Sequence, residues 1–172
     1  GGAICDTTKT AKYGVVIIKG SAKIEDCKAA NGGGICADSI SVIAVKMTGG
    51  TIKNCSAEYG GAVRCPTGTI NLSGAEISEC TASTYGGTFY ITGGTVNIQE
   101  NSVINGTDAY ITTAGTLNID NSNYTYTGSD YALQVAGTGS TSTGLINVTN
   151  GSSVKATAGS GTSAKWGTIN VT

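Results

Sequence analysis

Histidine is absent from this 172-residue chain, and proline, tryptophan, phenylalanine and methionine each occur once. With no histidine and no Cys-x-x-Cys pair, a metal centre is not expected, and no cofactor is implied. Leucine is scarce and alanine is spread singly, so few segments favour a helix. Charge is thin: 12% of residues are charged, the net charge is -1 and the pI is about 5.3. Arg64 is the only arginine, and only Lys155 and Lys165 among the ten basic residues come after it. That leaves no basic footprint for nucleic acid. No run approaches the ~20 apolar residues of a membrane span; the longest, Val15 to Ile18, is strand-sized. P-loop and nucleophile-elbow patterns are missing. The chain opens at Gly1 without methionine or a signal peptide, which suggests a mature chain or an excised piece. The strand-like end from Gly167 to Thr172 suggests a piece of something longer, or a unit covered by another molecule.

What is abundant is glycine, 27 residues, together with Val, Ile, Thr and Tyr, a strand-forming composition. These residues recur in three interleaved series. The first is GGAIC at Gly1, GGGIC at Gly32, GGAVRC at Gly60 and GGTFYI at Gly86, at spacings of 31, 28 and 26, fading into DAYIT at Asp108, YALQV at Tyr131 and AKW at Ala164. The second runs from Val15 to Ile18, then Val42 to Met47, then GTINL at Gly68, GTVNI at Gly94, GTLNI at Gly115, GLINV at Gly144 and GTINV at Gly167. The third ends at Cys27, Cys55 and Cys80 and continues at Ser102, Asn123 and Ser153.

Three short strands per cycle with no helix between them predict an all-β parallel β-helix, a β-solenoid in which each coil buries its inward side chains against the coils above and below. The motifs count six full cycles and part of a seventh, so about seven coils are expected; at ~4.8 Å between strands the rod is about 34 Å long. One domain spans residues 1–172, with Cys-containing coils over 1–90 and Thr/Asn/Gly-rich coils over 91–172. Alternation in the second series turns Ile70, Leu72, Val96, Ile98, Leu117, Ile119, Ile146, Val148, Ile169 and Val171 inward. Thr69, Thr95, Thr116 and Thr168 then form one outward row, interrupted by Leu145. Asn71, Asn97, Asn118, Asn147 and Asn170 form a second row, spaced for amide hydrogen bonds from coil to coil.

The segments GGAI, GGGI and GGAV, alternating with Ile24-Glu25-Asp26-Cys27, Ile52-Lys53-Asn54-Cys55 and Ile77-Ser78-Glu79-Cys80, resemble the GGAI and FxxN repeats of chlamydial polymorphic outer-membrane proteins and related adhesin-like surface proteins. Here Ile stands for Phe and Cys for the last Asn. The resemblance covers residues 1–90. It implies a right-handed β-helix, export, and a surface or adhesive role.

The cysteines fall in two expected registers, Cys5, Cys36 and Cys65 at the ends of the first series and Cys27, Cys55 and Cys80 at the ends of the third. Stacked Cα atoms ~4.8 Å apart suit a disulfide. Six cysteines allow fifteen connectivities, and buried free thiols are the other reading. Seven sequons, at Asn54, Asn71, Asn105, Asn123, Asn147, Asn150 and Asn170, fit a secreted glycoprotein; at Asn71, Asn147 and Asn170 a glycan would compete with the Asn row. Tyr59, Tyr85, Tyr110 and Tyr131 lie near the turn into the first series, where they either pack the turn or stack on a sugar or partner. The eleven acidic residues are scattered, so a polysaccharide lyase or hydrolase is a weak reading, as is ice binding by the interrupted Thr row. The expectation is a non-catalytic extracellular or cell-surface scaffold. It would display turns and the Thr/Asn face to a host or neighbouring cell-surface protein or glycan. The alternative is a filament subunit whose open sheet edges stack copies end to end.

Overall fold

The structure is a computed structural model that describes residues 2–6, 15–38, 45–112, 114–128, 131–136, 144–156 and 168–171. Among them there is no helix, and every strand pair is parallel. The chain is a β-solenoid.

The first series forms a six-stranded stack, in the order Ile4–Asp6, Ile35–Ala37, Val63–Cys65, Phe89–Ile91, Ala109–Thr112 and Leu133–Ala136. The second and third series lie side by side in an eleven-stranded sheet. Second-series strands at Thr69–Ser73, Thr95–Gln99, Thr116–Asp120, Leu145–Thr149 and Thr168–Val171 stack on one another. Third-series strands at Glu76–Ser78, Val103–Gly106, Asn123–Tyr126 and Ser153–Ala156 do the same.

Three expectations need correction. First, the described residues make about five turns, not seven coils. Six stacked strands enclose only five turns, ~24 Å of rise, and the last first-series segment, Ala164 to Trp166, lies outside the described residues, as do Val42 and Gly167. Second, in the first two coils the second and third strands are fused into single long strands, Val16–Glu25 and Val45–Lys53. The bend between the two series there is an irregularity at Gly20 and Gly49-Gly50, glycines with φ of 63°, 76° and 87°, which turn the strand without breaking it. Third, the expected cycle of three strands gains a fourth in two coils, beginning with the polar stretch Ser56-Ala57-Glu58-Tyr59. Ser56–Tyr59 pairs with Thr81–Tyr85, and Lys28 and Asn31 bridge to Ser56 and Tyr59. The coils that carry it are the long ones; in the coil after Gly87 the chain passes from Gly106 to Ala109 in two residues and no fourth strand follows.

The core is the inside of the tube. Ile52, Ile77 and Ile104 stack in register and are fully buried, and Tyr124 takes the next place above them. Ile70, Leu72, Val96, Ile98, Leu117, Ile119 and Ile146 are likewise inside. Tyr124 hydrogen-bonds the Thr107 carbonyl and packs 6.3 Å from the Phe89 ring, so an inward tyrosine fills the middle coils. Burial raises its phenol well above the usual range.

The Gly-Gly corners explain their own sequence. Gly32, Gly60 and Gly86, the first of each pair, have φ of 60°, 70° and 67°. The second is excluded from carrying a side chain by close approach: a Cβ on Gly61 would stand 2.2 Å from the Gly87 carbonyl oxygen.

Candidate functional site

The outward row of the first stack is Cys5, Cys36, Arg64, Tyr90, Tyr110 and Gln134, one residue per coil. Across the Gly-Gly corner, the fourth-strand pair places Tyr59 in register with Tyr85. Side chains of the two columns lean together outside the tube. Tyr85 stacks on Tyr110 with ring centroids 4.4 Å apart. Tyr59 lies 5.3 Å and Tyr85 6.4 Å from Tyr90, and Tyr90 lies 5.9 Å from Tyr110. Tyr85 is 44% exposed and the other three rings are half-buried. Burial raises the Tyr90 and Tyr110 phenols, while Arg64 works against the rise at Tyr90. Tyr59, Tyr85 and Tyr110 were singled out in the sequence; Tyr131 stands half-buried with no part in the cluster, and Tyr90 takes a place there. Register, not proximity to the turn, selects the members.

Arg64 sits at the foot of this cluster, and its Nε is buried without a hydrogen-bond partner. The ion pairs that the described residues form, Lys23–Glu25 and Lys53–Glu79, do not involve it. It occupies the position expected for a cysteine. GGAVRC is one residue longer than GGAIC and GGGIC, so Cys36 faces Arg64, and Cys65 moves one place on, to pair with Ile91. A shift of one residue reverses the face: Cys65 points into the core, whereas Cys36 is buried outside it. The expected register of Cys5, Cys36 and Cys65 is therefore limited to the Cys5–Cys36 pair.

All six cysteines are free thiols. Cys27, Cys55 and Cys80 follow corner residues Asp26, Asn54 and Glu79, whose φ values of 56°, 50° and 56° lie in the left-handed region. Each thiol returns to the chain that it caps: Cys55 Sγ donates to the Lys53 carbonyl at 3.3 Å and Cys80 Sγ to the Ser78 carbonyl at 3.3 Å. Burial pushes the Cys80 and Cys65 thiols up to about 12 and raises Cys36 and Cys55 as well. Such thiols are poor nucleophiles at neutral pH. Among the described residues no group of His, Cys, Asp or Glu is arranged to hold a metal ion.

On the second face, Asn97 Nδ2 donates to Asn71 Oδ1, Asn118 Nδ2 to Asn97 Oδ1 and Asn147 Nδ2 to Asn118 Oδ1, each at 2.7 Å. Thr69, Thr95 and Thr116 stack in register beside this ladder, with Leu145 next. Asn170 and Thr168 continue the backbone register, but their side chains lie outside the described residues. Of the sequon asparagines, Asn71 and Asn147 are half-buried in the ladder, while Asn54, Asn105, Asn123 and Asn150 are exposed. Asn54 donates to Asp26 at 2.6 Å and Asn123 accepts from Ser153 at 2.6 Å.

Two devices went unread in the sequence. Asp108 accepts the Gly86 and Gly87 amides at 2.9 and 2.8 Å, standing in for the carbonyls of the missing fourth strand. Ser102 and Ser152 hydroxyls accept the Ala75 and Ser122 amides of the coil below, each at 3.1 Å. The recurring Asn-Ser and Gly-Ser pairs at 101–102, 121–122 and 151–152 were the available signal for the second.

Comparison with family models, with curated proteins and with solved structures gives no match in any of the three.

Proposed function

We propose that this chain is a non-catalytic display scaffold of the extracellular or cell-surface kind, which holds partner-binding side chains in fixed register on the outside of a rigid tube. The observation that carries this reading is the tyrosine cluster: Tyr59, Tyr85, Tyr90 and Tyr110 come from three successive coils and meet on the outer surface. Aromatic residues with a polar tip and an exposed ring are suited to contact with proteins and sugars. Ordering is complete before a partner arrives, so little entropy is lost on contact. The GGAI-like repeats and their resemblance to adhesin-like surface proteins support the same placement, outside the cell and facing a protein or glycan of a neighbouring surface.

The test is attachment of the labelled chain to a glycan array and to cell surfaces, beside the double variant Tyr85→Ala/Tyr110→Ala. The expected result is specific attachment that falls at least ~10-fold in the variant at an unchanged melting temperature. Attachment indifferent to the tyrosines overturns the reading. Release of new reducing ends or unsaturated sugars from polysaccharides replaces it with an enzymatic one.

A further inference from the structure

We infer that the tyrosine face is a binding site for a polysaccharide built of hexuronic acids, with Arg64 holding the sugar carboxylate and Tyr90 and Tyr85 the sugar ring. This rests on the display reading and names its ligand class. Two independent observations meet here. One is the cluster of four outer tyrosines, with Tyr85 the most open. The other is the chain's only guanidinium, one coil below Tyr90 in the same outward row, with Nε buried and unpartnered and no ion pair to a described carboxylate.

The Nε side of the Arg64 guanidinium is enclosed, while the side chain as a whole is only half-buried, so an incoming acceptor meets the outer part of the fork. Guanidinium has a fork of donors matched to a carboxylate, and the charge-assisted pair is about twice as strong as a neutral hydrogen bond. The neighbouring aromatic carbon excludes phosphate-rich or wholly apolar ligands as the better fit: it asks for a ligand with C–H faces as well as negative charge. A hexuronic acid carries its carboxylate directly on the pyranose ring, and the row places cation and ring in adjacent coils, ~4.8 Å apart. Tyr110, one coil further along the row, offers a second ring for the next sugar. The local acid Asp108 is held by the Gly86 and Gly87 amides and forms no ion pair with Arg64.

The experiment is isothermal titration of the full chain with a galacturonic acid hexamer and with its methyl ester, which keeps the rings and removes the charge. The acid is expected to bind and the ester to bind at least ~10-fold more weakly, and Arg64→Gln to erase that difference; Tyr85→Ala should weaken both. The ester comparison uses the unaltered chain, so it stands even if Arg64→Gln does not fold. Equal binding of acid and ester, or an Arg64→Gln chain that folds and still prefers the acid, overturns the inference. If neither hexamer binds while tyrosine-dependent surface attachment persists, the uronate assignment fails and the display reading survives. If that attachment is absent too, both fall.

Discussion

The coils up to Gly87 and the coils after it solve one problem in two ways. Each turn of a solenoid leaves corner amides that need acceptors. In the lower coils the acceptors are backbone: Gly32 and Gly33 donate to the Tyr59 and Gly60 carbonyls, and Gly60 and Gly61 to Tyr85 and Gly86. This requires a fourth strand and a glycine pair at every corner. At the next Gly-Gly corner, Gly86 and Gly87 donate to the Asp108 carboxylate instead, and the chain between Gly106 and Ala109 forms no fourth strand. The difference teaches that coil length in this molecule follows from who supplies the corner acceptor. The outer tyrosine cluster lies where the two solutions meet, because there the fourth-strand residues Tyr59 and Tyr85 stand beside the outward row of the first stack.

The sharpest way to break the lower solution is Gly61→Val. The new Cβ would stand 2.2 Å from the Gly87 oxygen and 2.3 Å from the Thr81 oxygen, both backbone atoms of the coil above. Destabilisation of ~4 kcal/mol or outright failure to fold is expected by urea unfolding. The control in the upper coils is Gly151→Ala, where φ is +71° but no atom lies within 4 Å. There only the left-handed conformation is penalised, at ~1 kcal/mol. Equal losses at the two sites would show that glycine serves conformation alone and not close approach.

The junction itself is tested by Asp108→Ala. It strands two amides that the carboxylate accepts at 2.9 and 2.8 Å, so a loss of about 3 kcal/mol is expected, reduced to ~1 in Asp108→Asn, which keeps one acceptor oxygen. The loss should be accompanied by faster hydrogen exchange confined to Gly86, Gly87 and the Thr81–Tyr85 strand. Exchange that accelerates evenly along the chain would mean that Asp108 does no special work at the junction.

The alternation of inward Ile, Val and Leu with outward Thr and Asn was legible, because period two is the most direct consequence of a strand. Parallel stacking was legible too, from three motifs in fixed cyclic order. Register was not. Nothing in GGAVRC marks Arg64 rather than Cys65 as the equivalent of Cys36; the Gly-Gly corner fixes the count, and one added residue turns the cysteine inward. Asp108 was equally hidden, since an acid before a strand is ordinary turn composition until the absence of a strand opposite it is known. The left-handed corners at Asp26, Asn54 and Glu79 escaped notice for a related reason: they carry three different residues, and glutamate is an uncommon one in that conformation.

The smallest effect at neutral pH separates two ladders, buried thiols below and outward amides above. Asn97→Ala removes the bonds to Asn71 and Asn118, a loss of ~1 kcal/mol. Amides do not titrate, so the variant should lie below the parent by a constant amount from neutral to alkaline pH. Cys80 behaves differently. Burial lifts its thiol from an ordinary 9.0 to about 12. Below 9.0 both folded and unfolded chains hold the proton and the thiol's contribution is whole. Between 9.0 and about 12 the unfolded chain has released the proton while the folded chain keeps it, so the unfolded state binds fewer protons and stability falls as pH rises. Cys80→Ala should therefore flatten the alkaline slope of the unfolding free energy by up to one proton, whatever it does to the level at neutral pH. Cys65, buried on the inner side of the first stack and raised to about 12 as well, contributes to the slope that remains, with Cys36, Cys55, Tyr90, Tyr110 and Tyr124, which burial also raises. A parent whose stability is flat to pH 12 would show that these thiols ionise in place, and the contrast between a titrating lower ladder and a silent upper one would be gone.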